Sequence, residues 1–182
     1  MTSRRVAFSV LLSLAVVATA VCALPPAQAE ERVESKDAKG TGKPNEWRYY
    51  EGNTLVRIER DLKGDGQHSV KVYYENGKMV RSEVDRNGDG KPDLIRWMKD
   101  GKPEREQADL NFDGKPDAWG YYKNGVKDLM IMDKNFDGKP DAWFYYDQSG
   151  TKIIGGRVDE NFDGKKIRTF GSVPEKEDRK PW

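Results

Sequence analysis

The chain has 182 residues, with 32 Lys and Arg against 31 Asp and Glu, for a formal net charge of +1. That balance lacks the basic excess of a nucleic-acid binder, and one cysteine with one histidine cannot supply a tetrahedral zinc set. Charged residues make up 35% of the chain, so an ordinary apolar core is thin and bound metal is an obvious second source of stability.

Arg4 and Arg5 precede an apolar run from Val6 to about Leu24, which Pro25 and Pro26 break. Ala27-Gln28-Ala29 then offers small residues at both recognition positions of a signal-peptidase cut. Residues 1–29 are therefore predicted to be a secretory signal peptide. Loss of Arg4 and Arg5 leaves 30 basic against 31 acidic side chains, a mature charge of −1. The single cysteine, Cys22, leaves with the signal, so no disulfide forms in the mature chain. Membrane attachment is expected only through a lipid anchor at Cys22, and Val21 stands where a lipoprotein site needs a small residue. The expected location is the periplasm, outer envelope, or cell surface and extracellular space.

Residues 30–36 read as a short linker. From Asp37 to residue 171 the chain reads as six copies of one unit. Their acidic loops start at Asp37, Asp61, Asp85, Asp109, Asp133 and Asp159, a period of 24 residues with 26 in the last step. A fixed period of this size signals a repeat architecture. After the loop at Asp109, Asp117-Ala118-Trp119-Gly120-Tyr121-Tyr122 reads as a strand, Lys123-Asn124-Gly125-Val126 as a tight hairpin turn, and Lys127 to Met132 as the return strand. The expected fold is all-β: repeated antiparallel hairpins in an elongated single-layer meander or solenoid. In the last period, the turn Asp147-Gln148-Ser149-Gly150 accounts for one extra residue and a bulge near Gly155-Gly156 for the other. In-register stacking predicts an aromatic ladder through Trp47, Ile95, Trp119 and Trp143 beside Tyr49, Tyr73, Trp97, Tyr121 and Tyr145. Arg57, Arg81 and Arg105, with Glu59, Glu83 and Gln107, are predicted to pair on a separate, wet face. Residues 172–182 are polar and expected to be disordered.

The acidic loops carry the chemistry. An EF-hand loop draws oxygen ligands from positions 1, 3, 5, 7 and 9, with Gly at 6 and a bidentate Glu at 12. Asp85, Asn87, Asp89, Lys91 and Asp93 fill the first five of those slots, Lys91 through its carbonyl. Asp109, Asn111, Asp113, Lys115 and Asp117 fill them again, as do Asp133, Asn135, Asp137, Lys139 and Asp141. The loop at Asp159 keeps Asn161 and Asp163 but has Ile167 at position nine, so it is a partial fourth site. Asp61 is followed by Lys63 and Ser69 at ligand slots, and the loop at Asp37 keeps only the frame. Position 12 holds Arg96, Gly120 and Phe144, so the bidentate glutamate is missing. Ca2+ is the expected cofactor, in about three good sites and one partial one. Affinity is expected in the weak extracellular range, on the order of 10⁻⁴–10⁻³ M. Phe112, Phe136 and Phe162 at position four are expected to pack loop on loop, with Gly64 and Gly88 interrupting that column.

The motif Asp-x-Asn-x-Asp-Gly-Lys-Pro-Asp at Asp85 to Asp93 and its two sister loops resembles the calcium loops of integrin-α-type FG-GAP/VCBS repeats and of thrombospondin type 3 repeats. That resemblance implies calcium binding outside the cytoplasm in adhesion or surface architecture. The Tyr-Tyr-x-Asn-Gly hairpins at Tyr73 to Gly77 and Tyr121 to Gly125 resemble MORN-like repeats, which are open ladders of hairpins. Trp-x-Tyr-Tyr before a glycine turn also resembles choline-binding cell-wall repeats. The expected function is a non-enzymatic structural or protein-interaction module with an envelope or extracellular protein partner. The alternative is a glycan or cell-wall module using the Trp/Tyr ladder. No catalytic residue is assigned, because His68 occupies the proline slot of a loop and is expected at the surface.

Overall fold

The computed structural model describes residues 31–165, 167–175 and 179–181; the predicted signal peptide lies outside them. Among the described residues, twelve strands form one open antiparallel sheet in strict chain order. Residues 31–36, read as a linker, are β1 (Glu31–Lys36), which pairs along its length with β2 (Glu46–Glu51). Val33 and Ser35 meet Tyr49 and Trp47 there, so alternation sufficed to recruit a strand. The sheet continues through β3 (Thr54–Arg60), β4 (Val70–Glu75), β5 (Lys78–Val84), β6 (Leu94–Lys99) and β7 (Lys102–Ala108). It ends with β8 (Ala118–Lys123), β9 (Val126–Met132), β10 (Ala142–Tyr146), β11 (Ile153–Asp159) and β12 (Ile167–Gly171). Tight turns close one edge of the sheet. Asn76, Asp100 and Asn124 adopt positive φ beside Gly77, Gly101 and Gly125, as two-residue hairpin turns require. Every acidic loop lies at the opposite edge, one per pair of strands.

Each hairpin carries a bulge at its aromatic pair. The register slips between Tyr49 and Tyr50, Tyr73 and Tyr74, Trp97 and Met98, Tyr121 and Tyr122, and Tyr145 and Tyr146. The bulge in the last hairpin falls at Ile154, the same place as in the others, so it adds nothing to the period. Both extra residues sit in the turn between Tyr146 and Ile153, where Asp147 receives bonds from Ser149 Oγ, at 2.7 Å, and from the Thr151 and Lys152 amides.

The polar and aromatic columns share one face. Register places Tyr49, Arg57, Tyr73, Arg81, Trp97, Arg105, Tyr121, Leu129 and Tyr145 in a single row. A return strand separates each pair of aromatic strands, so the expected ring-on-ring ladder is interleaved with guanidinium groups. Arg57 lies over Tyr49 at 3.9 Å, Arg81 over Tyr73 at 4.7 Å and Arg105 over Trp97 at 4.6 Å, all cation–π distances. In β9 the return strand becomes apolar, and Leu129 and Ile131 join Trp119 and Tyr145 in the one buried cluster among the described residues. Val173 packs on that cluster, and Arg157 donates to the Pro174 carbonyl at 2.8 Å. Tyr121 also donates to the Lys180 carbonyl, and Arg179 pairs with Asp128 at 2.6 Å. The described part of the polar tail therefore covers the C-terminal end of the face.

On the reverse face, buried Glu106 accepts from Arg96 at 2.7 and 3.0 Å and pairs with Lys127 at 3.0 Å. Gly120 makes the room: a Cβ there would stand 2.8 Å from Glu106 Cγ. Burial opposes ionisation of Glu106, but Arg96 and Lys127 outweigh it and hold the carboxyl below its ordinary range. A carboxyl depressed by folding stabilises above its unfolded pKa and loses that contribution as pH falls through the lower folded value. Melting temperature should therefore drop on acidification below the ordinary glutamate value of 4.5. Glu106→Gln should flatten that part of the acid limb in a pH series. Gly120→Ala should destabilise by roughly 1–3 kcal/mol in chemical denaturation, because the added methyl overpacks a filled site.

Candidate metal centre

Each acidic loop is built by its first aspartate. Asp109 Oδ1 accepts the Phe112 amide at 2.7 Å and Oδ2 the Gly114 amide at 2.7 Å. The same two bonds, from positions four and six, recur at Asp61, Asp85, Asp133 and Asp159. They require positive φ at both donor positions, which explains Gly64 and Gly88 at position four as readily as Gly114 at position six. Position three caps position five: Asn111 Oδ1 accepts the Asp113 amide at 3.0 Å. Position five caps position seven, with Asp113 Oδ1 accepting the Lys115 amide at 2.8 Å. Position nine closes the loop, because Asp117 Oδ2 accepts the amides of Leu110 and Asn111 at 2.8 and 3.3 Å. Asp93 and Asp141 do the same in their loops.

Structure thus brings positions one, three, five and nine of the complete loops together in one turn. In this conformation no three acidic or imidazole groups among the described residues converge into a ready metal cage. The carboxylates face backbone donors instead, and an ion has to compete with those amides. Two observations test whether the residues fit a cation. First, the closing amides of Asp93, Asp117 and Asp141 all fall on Oδ2, which leaves Oδ1 of each as a second carboxylate oxygen open to solvent or to an ion. Second, the degenerate first loop shows what the turn itself needs. Asn45, at position nine, accepts the Ala38 amide at 2.7 Å, so a neutral amide closes the loop. The charge at Asp93, Asp117 and Asp141 is surplus to the turn, and hard oxygen donors of this kind suit calcium.

Backbone bonds carry the row from loop to loop. The Asp109 amide donates to the Asp93 carbonyl, Asp133 to Asp117, and Asp159 to Asp141, each at 2.8 Å. Asp93, Asp109, Asp117, Asp133, Asp141 and Asp159 are all buried, and none has a basic partner among the described residues. Like charges at adjacent sheet positions repel. Burial pushes the Asp117 carboxyl up, and Asp109 and Asp113 push it further against the pull of the Leu110 and Asn111 amides. Asp89, at the exposed position five, is instead lowered by the Lys91 amide and Asn87.

Position 12 also finds its explanation. Asp117 and Trp119 lie on one face of β8, and Ala118 and Gly120 on the other, because strand side chains alternate. A glutamate at position 12 would point away from the loop. The degenerate copies differ at position nine: Ser69 does not close its loop, and its Oγ is buried without a hydrogen-bond partner. Asp159 keeps both amide bonds and Asp163 accepts the Lys165 amide, but Ile167 at position nine is exposed. Asn161 makes no side-chain bond comparable to Asn111 among the described residues. Phe112, Phe136 and Phe162 do not pack loop on loop; they are 42–47% exposed at φ near +60°.

Sequence reasoning missed the surroundings of His68. Its ring stacks on Trp47 at 3.9 Å and Nδ1 lies 2.5 Å from Glu59 Oε2, so it is half-buried rather than a free surface group. Glu59 also accepts from the Tyr49 hydroxyl at 3.0 Å and forms an ion pair with Arg57 at 2.8 Å. Glu59 and His68 border a cleft of about 460 Å³ with Ser69, Lys71, Glu83 and Asp85. The alternation of acid and base along β3 to β5 was legible, but the ring stack across two hairpins was not.

No family model and no curated protein matches the chain. Among solved structures, it is similar in part to accessory secretory proteins 1, 2 and 3 of Streptococcus pneumoniae, at 17% identity and a TM-score of 0.40 over 52% of this chain. It is also similar in part to TarM, at 16% identity and a TM-score of 0.25 over 57% of this chain. The chain spans 18% of the length of each.

The loop roles separate by substitution in chelator-treated protein. Asp109→Ala removes two amide acceptors and should cost roughly 1–3 kcal/mol in urea denaturation. Asp117→Asn should be neutral or mildly stabilising under the same conditions, since it keeps an acceptor and removes a repelled charge.

Proposed function

We propose that this chain is an exported, calcium-binding β-repeat protein that acts as a non-enzymatic structural or protein-interaction module of the cell envelope or surface. The observation that carries the reading is the row of buried aspartates without basic partners, set against Asn45, which builds the same turn without charge. Asp85, Asn87, Asp89, the Lys91 carbonyl and Asp93 would hold one ion, and the equivalent residues from Asp109 and Asp133 two more. Asp159, Asn161 and Asp163 would form a weaker site. Bound calcium would supply the positive charge that the row lacks and tie the position-one and position-nine strands together. Competition with backbone amides accords with weak affinity.

Two further observations support a scaffold over a catalyst or a glycan platform. The hydroxyl next to His68, Ser69 Oγ, is buried and makes no hydrogen bond to the imidazole, which instead stacks on Trp47. Trp119 and Tyr145 are 5% and 4% exposed and pack with Leu129 and Ile131, so they offer no open ring face to a sugar.

Calcium titration of the mature protein tests the reading. A site held at a hundredfold excess of ion over Kd contributes ~2.7 kcal/mol, which raises the melting temperature of a domain this size by roughly 5 °C or more. Chelator should reverse the rise, and Asp93→Asn/Asp117→Asn/Asp141→Asn should fold yet show little of it. Equal melting curves with calcium and with chelator would sink the proposal.

A further inference from the structure

Position four of the acidic loop has left-handed backbone in all six described copies: Gly40, Gly64 and Gly88 in the first three, Phe112, Phe136 and Phe162 in the last three. Glycine adopts that conformation without steric cost, whereas phenylalanine does not. A strained bulky residue is normally repaid by burial, but these rings are 46%, 47% and 42% exposed. Leu110, beside Phe112, is 40% exposed as well. The turn does not need the rings, because the glycine copies make the same amide bonds to Asp61 and Asp85.

Lysines flank the rings. Lys115, Lys134, Lys139 and Lys165 are exposed on the same loops and form no ion pair among the described residues. Successive loops are two strands apart, about 10 Å from the strand spacing. The rings therefore stand singly among ammonium groups rather than as one apolar patch. A protein partner favours a contiguous patch. Separate aromatic wedges with neighbouring lysines suit a lipid interface, where rings enter the acyl boundary and ammonium groups reach phosphates.

We propose that the loop edge of the last three repeats is a calcium-switched docking surface for anionic lipid, using Phe112, Phe136 and Phe162 as wedges. The switch rests on the calcium reading above. The loop from Asp109 to Asp117 carries three aspartates against one lysine, and the loop from Asp133 to Asp141 three against two. Without metal both repel an anionic surface. One divalent ion makes the first neutral and the second positive, and the lysines then attract headgroups. This contact needs no lipid anchor at Cys22.

Co-sedimentation with mixed phosphatidylcholine–phosphatidylglycerol vesicles, read beside calcium-dependent melting of the same samples, tests it. The mature protein should pellet in calcium and stay in the supernatant in chelator or with pure phosphatidylcholine. Phe112→Gly/Phe136→Gly/Phe162→Gly should keep the calcium-induced melting shift, melt no lower than the parent, and bind vesicles weaker by roughly an order of magnitude or more. Pelleting that ignores chelator or lipid charge overturns the switch. A calcium melting shift without pelleting overturns the docking surface and leaves the calcium reading standing. Absence of both removes the calcium reading and the inference with it. A triple variant that melts well below the parent makes the rings structural and also overturns the proposal.

Discussion

One carboxylate accepting two backbone amides is the joint on which this sheet turns. A hairpin repeat has little core, and each strand owes its place to its neighbours. The linking segment between hairpins runs nine residues, long enough to be a floppy loop. Position-one aspartate prevents that by taking the amides of positions four and six, and position nine closes the same turn onto positions two and three. Two polar anchors per loop fix where the next strand begins. The register of all later pairs, and with it the face on which each side chain lies, follows from that start.

The same joint creates the electrostatic problem that gives the molecule its character. Anchoring with aspartate at both ends of the turn puts a charge on nearly every strand at one edge of the sheet. In the first two copies the charge is diluted, since Asn45 and Ser69 stand at position nine and Lys39 and Lys63 donate to the carbonyls of Leu62 and Arg86 in the following loops. From Asp85 onward the lysine is replaced by asparagine, and position nine becomes aspartate in the copies at Asp85, Asp109 and Asp133. The N-terminal repeats thus hold loop to loop with ammonium groups that belong to the chain. The C-terminal repeats place oxygen donors where an outside cation would serve.

The two halves also differ across their faces. Tyr49, Arg57, Tyr73 and Arg81 form a half-buried row of rings and guanidinium groups, tied down by Glu59 and Glu83. Cation–π and ionic contacts tolerate water on one side, so that row needs no cover. Leu129 and Ile131 do need it, and they receive it from Trp119, Tyr145 and the returning C-terminal segment at Val173. Gly155 and Gly171 permit that return, because a Cβ on either would stand 2.2 Å from a backbone oxygen. Where the face turns apolar, the chain bends back to shelter it.

Much of this was written in the linear order of residues. Period, turn chemistry and alternation are local properties, and they determined the all-β hairpin ladder, the site of every tight turn, and which loop positions carry oxygen donors. The interleaving of arginine between rings, the pairing of residues 31–36 as a first strand, and the full length of the last turn depended on cross-strand register, which no single repeat contains. Likewise, the missing glutamate at position 12 was visible as a gap, but its reason was not. Only a strand leaving the loop sends Gly120 to the far face, against Glu106, while Asp117 stays with the loop. Sequence alone determined the repeating chemistry because it acts between residues a few positions apart. Tertiary structure decided which carboxylates are buried side by side and which rings stand exposed, because burial belongs to neighbouring strands, whose facing residues, such as Arg57 and Tyr73 or Asp93 and Asp109, are well separated in the chain.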